Sequence, residues 1–155
     1  RDALRGLANI YGIELLADNV QACRNRLSNQ FANAYTTRFG TKARPAVIDA
    51  ARHIAATNIH FGDSLAMTTP GEAAHPLVFT QWSMLPGGKF KRRRFEYREL
   101  IAPRNEAAEG LFARNDQPRV SDAGQPVFLA EPVDDLPLIH YIQLGHEPHP
   151  GSLPR

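Results

Sequence analysis

A short apolar run followed by a change of hydrophobic period most constrains the fold of this chain. The run spans Ile10–Leu16 and contains one carboxylate, Glu14. Such a run is typical of a buried strand in a parallel sheet. Apolar residues then recur at spacings of three and four: Val20, Cys23, Leu27 and Phe31. This spacing predicts an amphipathic helix, for which Asp18 or Asn19 can cap the first turn.

The order strand, acidic residue and helix is typical of a nucleotide-binding α/β unit. In such units an acid at the carboxyl end of a strand accepts hydrogen bonds from both hydroxyls of a ribose. Glu14 occupies that position in the predicted unit. The alternative is a carboxylate at a strand end that only caps the chain or faces solvent.

A polar passage and a second helix follow the first helix. Residues 29–44 contain several threonines and one glycine, and we expect them to form a flexible surface connection. Pro45 then stands at a favoured first-turn position for a helix. Val47, Ile48, Ala51, Ile54 and Ala55 give this helix an apolar stripe, and the pair 57–58 ends it.

A second strand ending in a polar pair completes the repeat of the pattern. Ile59–Phe61 reads as a short strand, and Gly62 and Asp63 follow it directly. A glycine here permits close approach of a ligand, and the carboxylate can accept a hydrogen bond from an exocyclic amine. Gly-Asp after a strand is also a common turn. The occurrence of this Gly-Asp pair together with Glu14 at the end of the earlier strand favours a ligand-binding site.

Two blocks of this sequence resemble the S-adenosylmethionine-dependent DNA methyltransferases of the adenine-N6 group. Residues 11–14 read Tyr-Gly-Ile-Glu and precede a helix with an Asn-Val start and an Arg-x-Arg-Leu end. Residues 58–63 match an Asn-Ile-x-x-Gly-Asp block. The resemblance covers about residues 8–100 and implies a Rossmann-like α/β fold with three α/β/α layers and a C-terminal β-hairpin.

The resemblance also implies a cofactor, a partner and a set of site residues. S-adenosylmethionine is the implied cofactor, and DNA is the implied partner. Glu14 would hold the ribose and Asp63 the adenine amine, while Ile13, Leu15 and Leu65 would flank the adenine ring. Gly62 and Ser64 complete the implied cofactor-binding set.

The segment after the next predicted strand departs from the family pattern. Pro76–Phe79 reads as a buried strand. The resemblance implies that a loop with a polar-Pro-Pro-aromatic tetrad follows it and approaches the target base. This chain has Thr80, Gln81, Trp82 and a serine in its place. Thr80 or Gln81 can hydrogen-bond to the base and Trp82 can stack on it, but the two prolines of the tetrad are absent. Trp82 as a core residue is the alternative.

A basic hairpin follows this segment. The Pro-Gly-Gly sequence at 86–88 predicts a tight turn. Beyond it lie the candidate nucleic-acid-binding residues, Lys89, Lys91, Arg92, Arg93 and Arg94. Cations between aromatic residues can bind a phosphate backbone. A solvated edge strand, charged to prevent edge pairing, explains the same pattern.

The C-terminal part is predicted to be loop-rich. We divide the chain into a methyltransferase-like α/β core at 1–102, which includes the basic hairpin, and an extension of the same domain at 103–155. Within the extension, residues 127–129 and 138–144 read as short strands. The prolines at 148 and 150 favour an extended, disordered tail rather than a helical metal site. We therefore expect no metal.

Bulk properties narrow the class of protein. The net charge of +2 is too small to imply a partner by itself. The single cysteine, Cys23, cannot form an intramolecular disulfide, which favours a reducing, cytoplasmic location. No apolar run is long enough to cross a membrane.

The Gly-rich turn of the first methyltransferase block does not occur in this sequence. We expect it to precede Arg1 in a longer protein, or to come from a further subunit. Two readings therefore stand: a methyltransferase of the adenine-N6 type or a fragment of one, and a non-catalytic nucleic-acid-binding or subunit-interaction protein on that fold. A different Rossmann-like enzyme that uses another adenosine cofactor is a third.

Overall fold

The computed structural model describes residues 1–101 and 130–148, and the backbone alone at 119–120 and 126–127. Its helices are α1 (Asp2–Leu7), α2 (Ala17–Phe39), α3 (Pro45–Asn58) and α4 (Tyr97–Ile101). Its strands are β1 (Gly12–Glu14), β2 (Ile59–Phe61), β3 (Val78–Leu85), β4 (Lys89–Glu96), β5 (Arg119–Val120), β6 (Pro126–Val127) and β7 (Asp134–His140). Short 3₁₀ helices lie at Gly40–Lys42, Pro86–Gly88 and Tyr141–His146. The predicted mixed α/β class is confirmed.

Strands β1 and β2 form a parallel pair, and the chain passes between them through α2 and α3. Gly12 lies opposite Ile59, and Glu14 lies opposite Phe61. The first strand is shorter than the Ile10–Leu16 run, and both ends of that run are exposed. The prediction of a buried strand over the whole run is therefore wrong. Within the described residues β1 pairs with β2 alone, and no strand pairs with its other edge.

Helix α2 extends much further than the sequence pattern indicated. Residues 29–39, expected to be flexible, continue the helix, and Gly40 ends it with a φ of 53°. Aromatic rings at spacings of four explain the extension: Phe31 and Tyr35 stack at 6.0 Å between ring centroids, and Tyr35 contacts Phe39 at 4.8 Å. The N-cap residue is Leu16, which makes no side-chain cap, rather than Asp18 or Asn19; Asp18 Oδ1 nevertheless accepts a hydrogen bond from the N–H of Asn19 at 2.9 Å within the first turn.

Helix α3 begins at Pro45 and ends at Asn58, as predicted. Small residues on its inner face, including Ala50 and Ala51, are completely buried and let neighbouring elements approach closely. The main core collects apolar residues from five parts of the chain: Leu4, Leu7, Ala8, Val47, Ala50, Ala51, Ile54, Trp82, Phe90 and Leu144. The core thus lies between α1, α3, the β3–β4 hairpin and the last 3₁₀ helix.

A separate antiparallel sheet has the strand order β3-β4-β7. The predicted hairpin is confirmed, with the turn at Pro86–Gly88. Strand β3 continues to Leu85, so the predicted loop at residues 80–83 is wrong. Burial explains the difference, since Thr80 and Trp82 alternate inward along the strand.

The C-terminal predictions have mixed outcomes. Strand β7 ends at His140 and a 3₁₀ helix replaces the strand predicted up to residue 144, because Leu144 turns into the core. Glu147 is held by an ion pair, so the expectation of a disordered tail is wrong for residues 146–148. The start of the predicted strand at 127–129 coincides with β6, and its end lies outside the described residues. Residues 102–118 and 149–155 also lie outside them.

Candidate functional site at the carboxyl edge of the parallel pair

The parallel pairing brings the two predicted acidic residues to one edge. The backbone N–H of Gly62 donates to the carbonyl of Glu14 at 3.0 Å, one residue beyond the end of β2. Adjacent strands lie about 4.8 Å apart. Glu14, the last residue of β1, and Asp63, two residues beyond the end of β2, therefore lie at the same edge of the pair. This is the edge at which parallel α/β units bind their ligands.

Each of the two carboxylates is oriented through one of its oxygens. Glu14 Oε1 accepts a hydrogen bond from the N–H of Leu16 at 3.0 Å. Asp63 Oδ1 accepts from the N–H groups of Leu65 and Ala66, at 2.8 and 3.1 Å. Within the described residues, the second oxygen of each carboxylate has no hydrogen-bond partner. The backbone thus fixes both side chains and leaves one acceptor on each for a ligand.

Exposed apolar side chains surround these carboxylates. Leu15 and Leu16 follow Glu14, and both are exposed. Phe61 lies at the end of β2, and Leu65 is 90% exposed in the turn after Asp63. Ser64, between them, is also exposed. Apolar groups beside oriented acceptors are the chemistry that a purine ring and its attached ribose require.

Gly62 serves the packing of the protein rather than the approach of a ligand. A Cβ atom built at this glycine would lie 2.6 Å from Leu77 Cδ2 and 2.8 Å from its Cδ1. Leu77 is itself buried. The sequence interpretation of this glycine therefore needs correction, because a protein side chain occupies the space.

Asn58 joins the two halves of the described structure. Its Nδ2 donates to the carbonyls of Ala8 and Ile10, both at 3.1 Å, just before β1. Its Oδ1 accepts from the indole N–H of Trp82 at 2.8 Å. The side-chain amide is fully buried, and both its nitrogen and its oxygen are hydrogen-bonded. The first residue of the Asn-Ile-x-x-Gly-Asp block thus fixes the start of β1 against β3.

Three residues that the sequence did not single out support the parallel pair. Arg24 of α2 donates through Nε to the carbonyl of Ile59 at 3.0 Å, which ties the helix to β2. Burial lowers the pKa of Arg24. Tyr11 donates through its hydroxyl to the carbonyl of Thr80 at 2.9 Å. In the sequence, the only signal for Arg24 was its place in the Arg-x-Arg-Leu end of the helix.

The third is His60, whose imidazole is buried behind the site. Its ring lies 4.3 Å from the ring of Phe79, measured between centroids. Burial, with a smaller contribution from the charge of Arg24, lowers the pKa of His60 to about 4. Its Nε2 is buried without a hydrogen-bond partner in the described part of the chain. The imidazole is therefore neutral at physiological pH.

The three predicted catalytic residues lie inside β3 rather than in a loop. The Trp82 side chain belongs to the core, with the residue only 8% exposed and its ring in edge contact with Phe90 at 5.4 Å. Thr80 is buried, whereas Gln81 is exposed and accepts hydrogen bonds from Arg93. In this conformation no base can stack on Trp82.

The five predicted nucleic-acid-binding cations do not form one surface. Arg92 is 2% exposed and donates to Glu147 at 2.6 Å and to the carbonyl of Pro137 at 3.1 Å. The expectation that Arg92 is solvated is wrong. Arg94 pairs with Asp134 at 3.6 Å. The other three, Lys89, Lys91 and Arg93, lie on the opposite face of β4.

The part of the chain that the structure describes contains no cluster of three or more histidine, cysteine or acidic residues arranged to hold a metal ion. None of its helices has both the length and the apolar character that crossing a bilayer requires.

Comparison with known proteins identifies no relative of this chain. No protein-family model matches the chain, and neither the curated proteins nor the solved structures contain a significant match.

Proposed function

We propose that this chain is the adenosine-binding part of an S-adenosylmethionine-dependent DNA methyltransferase of the adenine-N6 type. One observation carries the proposal: Glu14 ends β1, Asp63 lies two residues beyond the end of the paired strand β2, and each has one carboxylate oxygen held by backbone and one left for a ligand. This arrangement fits the ribose and the adenine of a single nucleoside. The resemblance at residues 11–14 and 58–63 selects the methyltransferases among the enzymes that bind adenosine.

The residues of the site take distinct roles in this proposal. Glu14 accepts hydrogen bonds from the ribose hydroxyls, and Asp63 accepts one from the adenine amine. Leu15 and Leu65, both exposed in the free protein, cover the faces of the purine and exclude water from it. S-adenosylmethionine, when bound, supplies the electrophilic methyl group. Because Thr80, Gln81 and Trp82 lie in a paired strand, we assign no protein group to the target base.

A further protein segment completes the Rossmann-like fold in this proposal. In the described structure β1 pairs with β2 alone, and Ile10, Tyr11 and Leu16 are exposed around it. An open strand edge bordered by apolar side chains is suited to receive another strand. A segment or subunit that carries the Gly-rich turn would add that strand and contact the methionine end of the cofactor.

Adenosine itself is the sharpest probe, because it needs only the part of the site that this chain contains. We would titrate adenosine into isotope-labelled protein and follow the amide shifts of residues 14–16 and 62–66 by NMR. Glu14→Gln should weaken adenosine binding at least fivefold. The same change at Glu131, an exposed acid just before β7, which β4 separates from β3, is the matched control and should leave binding unchanged. The analogue 2′,3′-dideoxyadenosine lacks both ribose hydroxyls, so its binding should be the same in the wild-type protein and in Glu14→Gln.

Absence of shifts at both strand ends would refute the proposed nucleoside site. Equal weakening by Glu14→Gln and Glu131→Gln would also refute it, since a general charge effect would then explain the result.

The burial of Trp82 favours a second candidate, a non-catalytic nucleic-acid-binding protein on the same fold. The described β3 has no loop at the position where the family holds the target base. Transfer of labelled methyl groups to DNA separates the two candidates. Methylation by the chain joined to its Gly-rich segment supports the enzyme, whereas DNA binding without methylation supports the binding protein.

A further inference from the structure

Strand alternation divides the basic run of β4 into two sets with different surroundings. Arg92 and Arg94 point to the side of Phe90, and both form ion pairs with carboxylates. Lys89, Lys91 and Arg93 point to the other side. No ion pair involves these three within the residues that the structure describes. The cations of the hairpin that form no ion pair therefore lie on one face.

The position of β4 in its sheet excludes the simplest alternative explanation. Exposed lysines commonly protect an edge strand from pairing with another chain. Strand β4, however, is the central strand, paired with β3 on one side and β7 on the other. It has no free edge to protect. Protection of an edge therefore does not account for these three cations.

The neighbouring side chains on this face are two neutral hydrogen-bonding groups on β3 and one carboxylate, Asp135, on β7. Gln81 lies opposite Arg93, and Ser83 lies opposite Lys91. The guanidinium of Arg93 is held in place, because its Nε and one terminal nitrogen donate to Gln81 Oε1 at 3.1 and 2.8 Å. It also lies 5.7 Å from the centroid of the Phe95 ring. An arginine fixed in this way loses little conformational entropy when it binds an anion.

The spacing of the cations suits a polymer of phosphates rather than a single anion. Alternate residues of a strand lie about 6.8 Å apart, so the three side chains form a row about 14 Å long. A row of this kind can contact successive phosphates of a nucleic-acid strand. On the β7 side, Asp135 lies opposite Arg93 without forming an ion pair in the described structure, so the net positive charge of this face is concentrated at Lys89 and Lys91.

One end of this row adjoins the parallel pair. Phe95 follows Arg93 on the same face and lies opposite Phe79, whose ring contacts His60 in β2. Strand β2 leads directly to Asp63. We propose that Lys89, Lys91 and Arg93, with Gln81 and Ser83, bind the DNA phosphate backbone beside the cofactor edge. The choice of DNA as ligand rests on the proposed function; the choice of residues rests on the geometry of β4.

The test is a charge-matched comparison of two triple variants. Lys89→Gln, Lys91→Gln and Arg93→Gln remove the row. Three exposed cations on α2 and after it provide the control: Arg26→Gln, Arg38→Gln and Lys42→Gln. Both variants lose three charges. Fluorescence anisotropy with a labelled duplex of random sequence, over a range of salt concentrations, reports the affinity and its salt dependence.

We expect the row variant to bind duplex DNA at least tenfold more weakly at low salt. Its slope of log affinity against log salt should fall by about 2 to 3, because each lost phosphate contact removes about 0.9. The control variant should change the affinity less than twofold. Circular dichroism of both variants verifies that each is folded.

Equal losses in the two variants would overturn the proposal, since net charge alone would then determine binding. So would row-dependent binding to vesicles of anionic phospholipid that equals binding to DNA, or a wild-type chain that does not bind DNA. Adenosine titration of the same proteins separates this proposal from the proposed function. A row variant that keeps adenosine binding and loses DNA supports both, whereas row-dependent DNA binding without any adenosine binding refutes only the cofactor site.

Discussion

The buried imidazole of His60 predicts a steep loss of stability in mild acid. Its ring packs on Phe79 and its pKa is lowered to about 4, mainly by burial and also by the charge of Arg24. In the unfolded chain the pKa is 6.5. Between these two values the unfolded state binds a proton that the folded state does not. The free energy of unfolding must therefore fall as the pH falls through this window.

The size of the effect follows from the two pKa values of His60. The full difference of about 2.5 pKa units corresponds to about 3 kcal/mol. Between about pH 7.5 and about pH 5, the linkage relation gives a loss of about 2 kcal/mol. The lower limit of about pH 5 avoids the titration of Glu147, whose pKa the hydrogen bond from Arg92 lowers from 4.5. That carboxylate stabilises the fold above about pH 4.5 and loses its effect only as the pH falls further.

Urea unfolding at several pH values measures this loss. In His60→Phe the aromatic contact with Phe79 is kept and the titrating group is removed, so the loss between about pH 7.5 and about pH 5 should shrink by about 2 kcal/mol. Ile13→Val is the matched control, because Ile13 lies opposite His60 in the register. It should destabilise the protein by about 1 kcal/mol at every pH. An unchanged pH dependence in His60→Phe would refute the reasoning, since the imidazole would then be solvated or hydrogen-bonded.

Three further substitutions test the packing around the site. Gly62→Ala should destabilise the protein by about 1 to 3 kcal/mol, because the new Cβ would lie 2.6 Å from Leu77 Cδ2; urea unfolding that shows under about 0.5 kcal/mol would contradict this. Glu147→Gln should cost about 3 kcal/mol by leaving Arg92 buried without its anion, and adding Arg92→Met should recover most of the loss in thermal unfolding. Trp82 is the only tryptophan of the chain and is buried, so acrylamide should quench the fluorescence of the native protein only weakly. Adding DNA should not change this quenching. Strong quenching would place the indole at the surface and contradict the structure.

The sequence by itself determined the elements that depend on local signals. Pro45 fixes φ at the start of α3 and the apolar period continues to its end, so the helix follows from local chemistry. The turn at Pro86–Gly88 likewise specifies the β3–β4 hairpin. The sequence also predicted the places of Glu14 and Asp63, because an acid that ends a strand or follows it within two residues lies near that strand's carboxyl end.

Only the tertiary structure decided which side chains are buried and with which partners. Thr80 and Trp82 are strand residues rather than loop residues because α3 supplies Asn58 and His53 to contact the indole. Arg92 is buried because Glu147 reaches it from the far end of the chain.

These pairings could not be read from local sequence for a physical reason. Burying a polar side chain costs free energy unless a distant residue satisfies its hydrogen bonds or its charge, and that partner is set by how the elements pack. A basic run such as residues 89–94 carries no mark of which cations will meet a carboxylate. The alternation of β4 separated the paired cations from the free face, and the packing of the last 3₁₀ helix supplied the anion.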